Sequence, residues 1–449
     1  MSSTNGTIQS AALALEDPTL GTQPNPLFSP AVIADIQEKA HLGRYRLRGF
    51  GARRELPSLD DLTVIPAGLS RMALEGYREH CSAKTVIGTR AEVPLTLDIP
   101  IGIAGMSYGA LSATAKTALG LGATAVGTFT TTGDGGMLDA EREASKQLVY
   151  QCLPSRYGFT VQDLQRADAV EIVVGQGAKP GTGGLLLGAK VSGEVAEART
   201  LPPGVDQRSP VRHPDWLGPD DLVIKIEELR EATQGRIPIM VKLGAARVVD
   251  DVRLAVKSGA DAVVLDGMEG GTAASPEMLM DHTGIPTMAA VVEARRALDS
   301  MGEVSEGVQL VVSGGIRHGV DVAKLLALGA DAVTIGTAAL IALNCNKPVF
   351  AEDYAALGTA PGACHHCHTG RCPVGVATQD PELEGRLDLE QAATRTKHLL
   401  QALTMEVQML ARACGKSSVH HLSPEDLRAL SPSASAMTGI PLAGTAIPT

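Results

Sequence analysis

The chain has 449 residues, a net charge of −11, 44% hydrophobic and 20% charged residues, 49 glycines and only 3% aromatics. The balance is that of a globular protein. The negative charge argues against a nucleic-acid or anionic-membrane partner, and the shortage of aromatics against a base-stacking surface. No stretch approaches about 20 consecutive apolar residues, no basic-then-apolar leader opens the chain, and three of the seven cysteines are clustered, so a cytoplasmic protein with reduced thiols is expected.

Residues 1–60 are polar and punctuated by Pro18, Pro24, Pro26 and Pro30, which predicts an extended arm with one helix near Ala31–Ala40. Arg44, Arg46, Arg48, Arg53 and Arg54 follow, as surface charge or as a contact with an acidic neighbouring subunit. From about residue 95, short β-branched runs alternate with helical segments. The candidate strands are Ile101–Gly105, Thr124–Thr130, Val170–Gly175, Pro238–Leu243, Ala262–Asp266, Pro286–Ala290, Gln309–Ser313 and Ala332–Gly336. Eight alternating units favour a (β/α)8 TIM barrel, an α/β fold, over an open doubly wound sheet. The division expected is an N-terminal arm over 1–94, the barrel over 95–350, a cysteine loop over 351–380, and C-terminal helices with a tail over 381–449.

An internal echo supports the unit count. Gly122-Ala-Thr-Ala-Val126, Gly259-Ala-Asp-Ala-Val263 and Gly329-Ala-Asp-Ala-Val333 each fit a helix that closes on glycine before a buried parallel strand. Barrel chemistry lies at the carboxyl ends of the strands. There the sequence places Met106-Ser107, Thr130-Thr131 and the loop to Met137, Gln176-Gly-Ala-Lys179-Pro-Gly, Lys242, Asp266-Gly-Met-Glu-Gly270-Gly271, Gly314-Gly315-Ile-Arg317 and Gly336-Thr337. The last two turns, after strands seven and eight, suit a phosphate-bearing ligand. Lys242 inside a barrel is costly unless partnered. It fits the anionic edge of a reduced flavin, or an ion pair with Asp266. Residues 188–235 form a long excursion: 188–215 reads as an irregular lid or interface, and Pro219–Thr233 as a helix.

Beyond the barrel stands Cys364-His-His-Cys367-His-Thr-Gly-Arg-Cys372. Three thiolates in so tight a loop suit an iron–sulfur cluster, or zinc with a histidine. Leu387–Ala413 then reads as a helix, and 422–430 as a short helix opened by Ser423-Pro-Glu-Asp.

Residues 95–415 resemble the FMN-binding synthase domain of glutamate synthase. The resemblance rests on Gly105-Met-Ser-Tyr-Gly-Ala-Leu-Ser112, Gln176-Gly-Ala-Lys-Pro-Gly181, Asp266-Gly-Met-Glu-Gly-Gly-Thr-Ala-Ala-Ser-Pro276, Gly314-Gly-Ile-Arg-His-Gly-Val-Asp-Val-Ala-Lys324 and Cys372-Pro-Val-Gly-Val-Ala-Thr-Gln379. It implies a barrel holding FMN beside a [3Fe-4S] cluster, with Cys364, Cys367 and Cys372 on the cluster. It implies that Met106 and Ser107 line the ribityl side of the flavin, and that Thr130, Thr131 and Gln176 hydrogen-bond its ring. Lys242, Gly270, Gly271, Gly314, Gly315, Arg317, Gly336 and Thr337 complete the expected cofactor site, while Lys179, Gln176 and Asp134 form the catalytic site, Lys179 pairing with a substrate carboxylate.

Three features depart from the family pattern. The first two cysteines are separated by two residues rather than five, Thr182 and Leu185–Leu187 follow the Lys179 turn, and Asp134 and Met137 replace acidic residues of a Gly-Glu-Gly-Gly-Glu loop. The last two departures fall in substrate-lining loops. The amidotransferase and glycine-repeat β-helix parts of a full-length glutamate synthase are expected as separate subunits, an arrangement similar to N-methylglutamate synthase. The resemblance therefore implies formation of glutamate or N-methylglutamate in a hetero-oligomer, with a stand-alone glutamate synthase using an external electron donor as the alternative. An IMP dehydrogenase-like barrel with a lone catalytic cysteine and a zinc-binding scaffold subunit are the rival classes.

Overall fold

The computed structural model describes residues 27–445 apart from Tyr77, so the first 26 residues of the expected arm, with Pro18, Pro24 and Pro26, lie outside the described residues. The segment up to Arg46 forms a unit of its own. Its helix, Pro30–Leu42, starts where Ser29 accepts a hydrogen bond from Val32 N–H and stops at Gly43, whose φ of 63° is left-handed. Within this unit Arg46 pairs with Glu38 and Asp35.

The second unit is a parallel eight-stranded barrel. Its strands are β1 Ile101–Ile103, β2 Phe129–Thr131, β3 Gln147–Cys152, β4 Ala169–Val173, β5 Ile239–Gly244, β6 Ala262–Asp266, β7 Gln309–Ser313 and β8 Ala332–Ile335. Each pairs with its sequence neighbours in parallel register from β2 through to β8, and β8 returns to β1. The seam between β1 and β2 is closed by packing. The Phe129 ring lies where a Cβ on Gly102 would come within 2.3 Å of it, so only glycine fits there. Side chains pointing inward near the strand starts, among them Phe129, Val149, Met240, Val264 and Val311, form one apolar cluster with Ile87, Leu95 and Leu97. Those three belong to the hairpin Thr85–Ile87/Leu95–Leu97, which therefore plugs the amino-terminal end of the barrel.

The count of eight is right, but one of its members is not. Pro286–Ala290 is the start of the helix Thr287–Asp299, with Pro286 just outside the first turn, where its missing N–H costs nothing. The unrecognised strand is β3, whose run Gln-Leu-Val-Tyr-Gln-Cys carries polar side chains that the barrel nevertheless buries. The segment from Thr124 is also shorter as strand than expected, because the helix Ala113–Thr124 ends on its first residue and a turn follows before Phe129. Gly259 and Gly329 do end helices with φ of 98° and 110°. Gly122 does not: it lies inside its helix, where a Cβ would come within 2.6 Å of Thr396. Its role is the close crossing of Ala113–Thr124 with the long helix Leu389–Ala413.

That long helix opens at Asp388, which accepts the Gln391 N–H, and buries Ala392, Thr396, Leu400, Leu403, Val407 and Ala411 along one face. It packs on the helices Ala113–Thr124 and Gly319–Ala327, and on the six-residue helix Thr337–Ala342 that follows β8. Two further expectations change. The stretch 188–215 contains the helix Gly193–Arg199 and a short strand Gln207–Arg208 pairing with Leu185–Leu186. After a single 3-10 turn, residues 427–429 form a strand against Leu62–Val64 rather than a helix. Arg48 is neither surface charge nor free for a partner, being buried against Glu277 at 3.2 Å and Asp281 at 2.6 Å. Among the described residues no helix is long and apolar enough to cross a membrane.

Candidate active site

The carboxyl ends of the strands surround a cavity of about 980 Å³, large enough for a cofactor and a small substrate together. Its wall is built from Ala104–Ser107 after β1, Gln151 on β3, Val173–Gln176 after β4, Lys242 on β5, Asp266 on β6, Ser313–Gly315 after β7 and Thr334–Thr337 after β8. The loop through Lys179 and Thr182–Leu186, with Ser209–Val211, closes one side.

Two cations on that side matter most. Lys179 extends along the wall to a long 3.4 Å contact with the Ala274 carbonyl and makes no ion pair among the described residues. Burial depresses its pKa to about 8, only partly offset by Asp134. The carboxylates that could have claimed it as a surface lysine are engaged elsewhere: Asp168 with Arg142 at 2.7 Å, and Glu171 with Gln151 at 2.5 Å. Arg199, at the end of Gly193–Arg199, is buried. Its guanidinium donates to Gln207 Oε1 at 3.0 Å and to the Tyr108 carbonyl at 2.8 Å, leaving Nε without a partner. Asp134 is electrostatically coupled to both cations and is held by Ser155 at 2.5 Å and Ser209 at 2.6 Å. Both cations border the cavity, Lys179 without an ion pair and Arg199 with its terminal nitrogens held by Gln207 and the Tyr108 carbonyl.

On β5, the strand beside β4, Lys242 lies 3.7 Å from Asp266. Burial works against its charge, but Asp266 and Glu171 outweigh burial and hold its pKa above the ordinary lysine value. The ion pair exists, and it stands on the cavity wall, so a fixed cation is presented there.

The sequence predicts a phosphate cradle at the glycine turns. Gly314 and Gly315 have φ of 107° and 72°, and a Cβ on either would lie within 2.9 Å of neighbouring atoms, so the backbone itself requires glycine. Gly336 is different. Its φ is −117°, and a Cβ would find only the Ala104 methyl, at 4.0 Å. Nothing in the protein demands glycine there; a group occupying the cavity would. The buried Ser313 hydroxyl on the same wall also lacks a partner. Cavity size, open glycine turn, orphan hydroxyl and fixed lysine together fit a phosphate-bearing cofactor such as FMN.

Of the expected cofactor residues, Met106, Ser107, Gln176, Lys242, Gly270, Gly271, Gly314, Gly315, Gly336 and Thr337 line the cavity. Arg317 also borders it, but its guanidinium is held by Asp60 at 2.7 and 2.8 Å and by Asp321 at 3.2 Å, turning it toward the outer rim. Thr130 and Thr131 do not line it. Thr130 is buried against Ser145 at 2.8 Å, whereas Gln151 on the unrecognised β3 does line the cavity.

A second, smaller pocket adjoins the cavity, sharing Leu340, Cys345, Cys367 and Ala377 with it. Cys364, Cys367 and Cys372 converge there, and Cys345 makes a fourth thiol. Burial raises the Cys367 thiol to about 12, and the neighbouring thiols add to this, so thiolates form here only with a positive partner. Among the described residues no group of three or more His, Cys, Asp or Glu side chains is placed to hold one metal ion. A zinc ion draws all its sulfurs to about 2.3 Å of one point, whereas a cluster gives each thiolate its own iron and holds the sulfurs farther apart. Four thiols around one apolar pocket, with the buried ammonium of Lys190 beside Cys367 and Cys372, fit a cluster better than zinc.

Sequence reasoning missed Arg199, Gln151, Cys345 and Lys116. Arg199 sat in a stretch read as irregular, Gln151 in an unrecognised strand, and Cys345 well upstream of the cysteine loop. Lys116 is buried on the first barrel helix, where it donates to the carbonyls of Met106 at 2.5 Å and Thr132 at 2.6 Å and pairs with Glu141 at 2.7 Å. Its helical position carried no signal beyond that of any lysine.

Fold and cavity define a (β/α)8-barrel protein with a cofactor-sized site at the carboxyl ends of its strands. The conserved region in glutamate synthase matches residues 57–417. The glutamate synthase large subunit-like protein of Rhizobium meliloti is 56% identical over 434 residues, 96% of this chain and 98% of that one. An archaeal glutamate synthase [NADPH] of Methanocaldococcus jannaschii is 35% identical, covering 92% of this chain and 83% of its own. Among solved structures, a lactate oxidase of Pediococcus acidilactici is similar with a TM-score of 0.52 at 14% identity over 82% of this chain and 83% of its own, a likeness of fold. The chain belongs to the glutamate synthase family.

Proposed function

We propose that this chain is the FMN- and iron–sulfur-containing synthase subunit of a glutamate synthase-like complex, forming N-methylglutamate or glutamate from a 2-oxo dicarboxylic acid and an amine. The observation that carries the reading is the pair of cavity cations, Lys179 with no ion-pair partner and Arg199 with an unsatisfied Nε. A dicarboxylate is the ligand that answers both. FMN, when bound, supplies hydride transfer to the carbon of the imine formed from the oxo acid and the amine. The protein's part is positioning. Lys179 and Arg199 hold the two carboxylates, Asp134 keeps both cations directed at the cavity, and Lys242 with the Gly314–Gly315 and Gly336–Thr337 turns receives the cofactor. Cys367 and Cys372, with a third cysteine from the same pocket, Cys364 on the sequence reading, hold the [3Fe-4S] cluster beside it.

Methylamine is the favoured amine. Asp134, Thr182, Leu185 and Leu186 line the cavity and are among the positions that depart from the family pattern, Met137 and Leu187 being the two that do not line it, so the substrate wall differs where the amine and oxo acid meet. Exchange of ammonia for methylamine on glutamate is redox-neutral and needs no external reductant. The test uses anaerobically purified protein reconstituted with its amidotransferase-like and β-helix subunits. Flavin and about three irons per chain are expected, with flavin reduction by glutamate and faster reoxidation by 2-oxoglutarate with methylamine than with ammonia. Protein without flavin would overturn the reading. A preference for ammonia would move it to a stand-alone glutamate synthase.

A further inference from the structure

Lys190 ends a single 3-10 turn, Gly188–Lys190, in the loop that walls the cavity. Its side chain is wholly buried, at 0% exposure. The ammonium donates to the Ala110 carbonyl at 2.7 Å and the Cys367 carbonyl at 2.9 Å. Among the described residues no carboxylate lies within ion-pair distance of it. The stem runs along the cysteine loop so closely that a Cβ on Gly370, between Cys367 and Cys372, would come within 3.2 Å of Lys190 Cγ. A buried ammonium facing only two carbonyl dipoles is an expensive arrangement, and removing the anion that answers it costs more than the pair is worth. The groups beside it that can become anionic are the thiols of Cys367 and Cys372. They are deprotonated when they ligate a metal centre.

We propose that Lys190 is the buried counter-cation of the iron–sulfur cluster and sets its reduction potential. The inference rests on the cluster reading above and goes beyond it. Net charge, hydrogen bonding to the ligands and solvent exposure set such potentials. A cluster on thiolate ligands gains one negative charge when reduced, and a fixed positive charge in a dry site favours that state. Because Ala110 borders the cavity while Cys367 borders both pockets, the same ammonium ties the cavity wall to the cluster loop. Lys190 is thus a positioning residue that acts through the cluster.

The experiment is a redox titration of anaerobically prepared parent, Lys190→Met and Lys190→Arg proteins, followed by the electron paramagnetic resonance of the cluster, with iron, sulfide and flavin counted in each. Full iron is expected in all three. At the parent's midpoint potential the reduced-to-oxidised ratio of Lys190→Met should fall at least tenfold, a downward shift of about 59 mV for one electron, while Lys190→Arg stays near the parent. If Lys190→Met loses iron while Lys190→Arg keeps it, the charge is again what matters and the proposal stands. An unchanged midpoint in iron-replete Lys190→Met would make the lysine a mere tether of two carbonyls and overturn the inference. Iron loss from both variants would overturn it in favour of packing. A parent without iron removes the cluster itself, an outcome visible before any variant is made.

Discussion

Replacing Lys179 by methionine removes one charge from the cavity and little volume. The ammonium has no protein anion to release and only a 3.4 Å contact with the Ala274 carbonyl to lose, so the substitution should leave the fold and flavin content unchanged. What it removes is a charge-assisted contact with substrate, worth about 1.5–3 kcal/mol, or roughly ten- to 150-fold in affinity. The loss should appear in the half-reactions of the reconstituted complex, as weaker dependence of flavin reduction on glutamate and of reoxidation on 2-oxoglutarate. The pH profile gives a second test. With its pKa depressed to about 8 from 10.5, Lys179 is neutral in the native state and protonated in the unfolded chain between those values. The unfolded state binds the extra proton, so stability of the substrate-free protein gains from this site as pH rises through that window. Affinity for a carboxylate substrate runs the other way, falling about tenfold per pH unit above the native pKa until the whole contribution of the charge is lost. The dependence should vanish in Lys179→Met. Parent-like half-reactions in the variant, or the same pH slope, would refute the assignment of this lysine to substrate.

Three further outcomes follow from the geometry. Gly336→Ala should lower FMN affinity at least tenfold while shifting the stability of flavin-free protein by no more than about 0.5 kcal/mol, because a Cβ there meets only Ala104; flavin titration and thermal melts check it. Cys367→Ser and Cys372→Ser should each abolish the cluster. Iron counts on Cys345→Ser and Cys364→Ser decide which supplies the third ligand, and Cys414→Ser should keep full iron because Cys414 is buried away at the end of Leu389–Ala413 beside the Ile65 carbonyl. Lys116→Met leaves Glu141 buried without its ion pair and should cost about 3–5 kcal/mol, read by denaturant unfolding.

The periodic and punctuating features of this chain were legible without coordinates. β6, β7 and β8 are apolar runs bounded by Gly-Ala-Asp or Gly-Gly, and a fully buried parallel strand admits little else, so their bounds were readable almost to the residue. The glycine turns after β7 and β8 were readable for the same reason, since backbone that must approach a ligand or take positive φ selects glycine. The cysteine loop announced itself because three of its cysteines are close in sequence. Tertiary structure alone decided the rest. β3 is a strand because the barrel satisfies its polar groups, Gln151 donating to Glu171, and such pairing across strands leaves no local trace. Pro286–Ala290 has the small and β-favouring residues of a strand start, but its neighbours bury one face of a helix. Arg199 and Cys345 reach their pockets from far along the chain, and a residue's chemistry there depends on what the fold lays against it: an unsatisfied Nε in one case, three other thiols in the other. Local sequence determines which backbone conformations are affordable, whereas the charge, burial and convergence that make a site exist only once distant segments have packed.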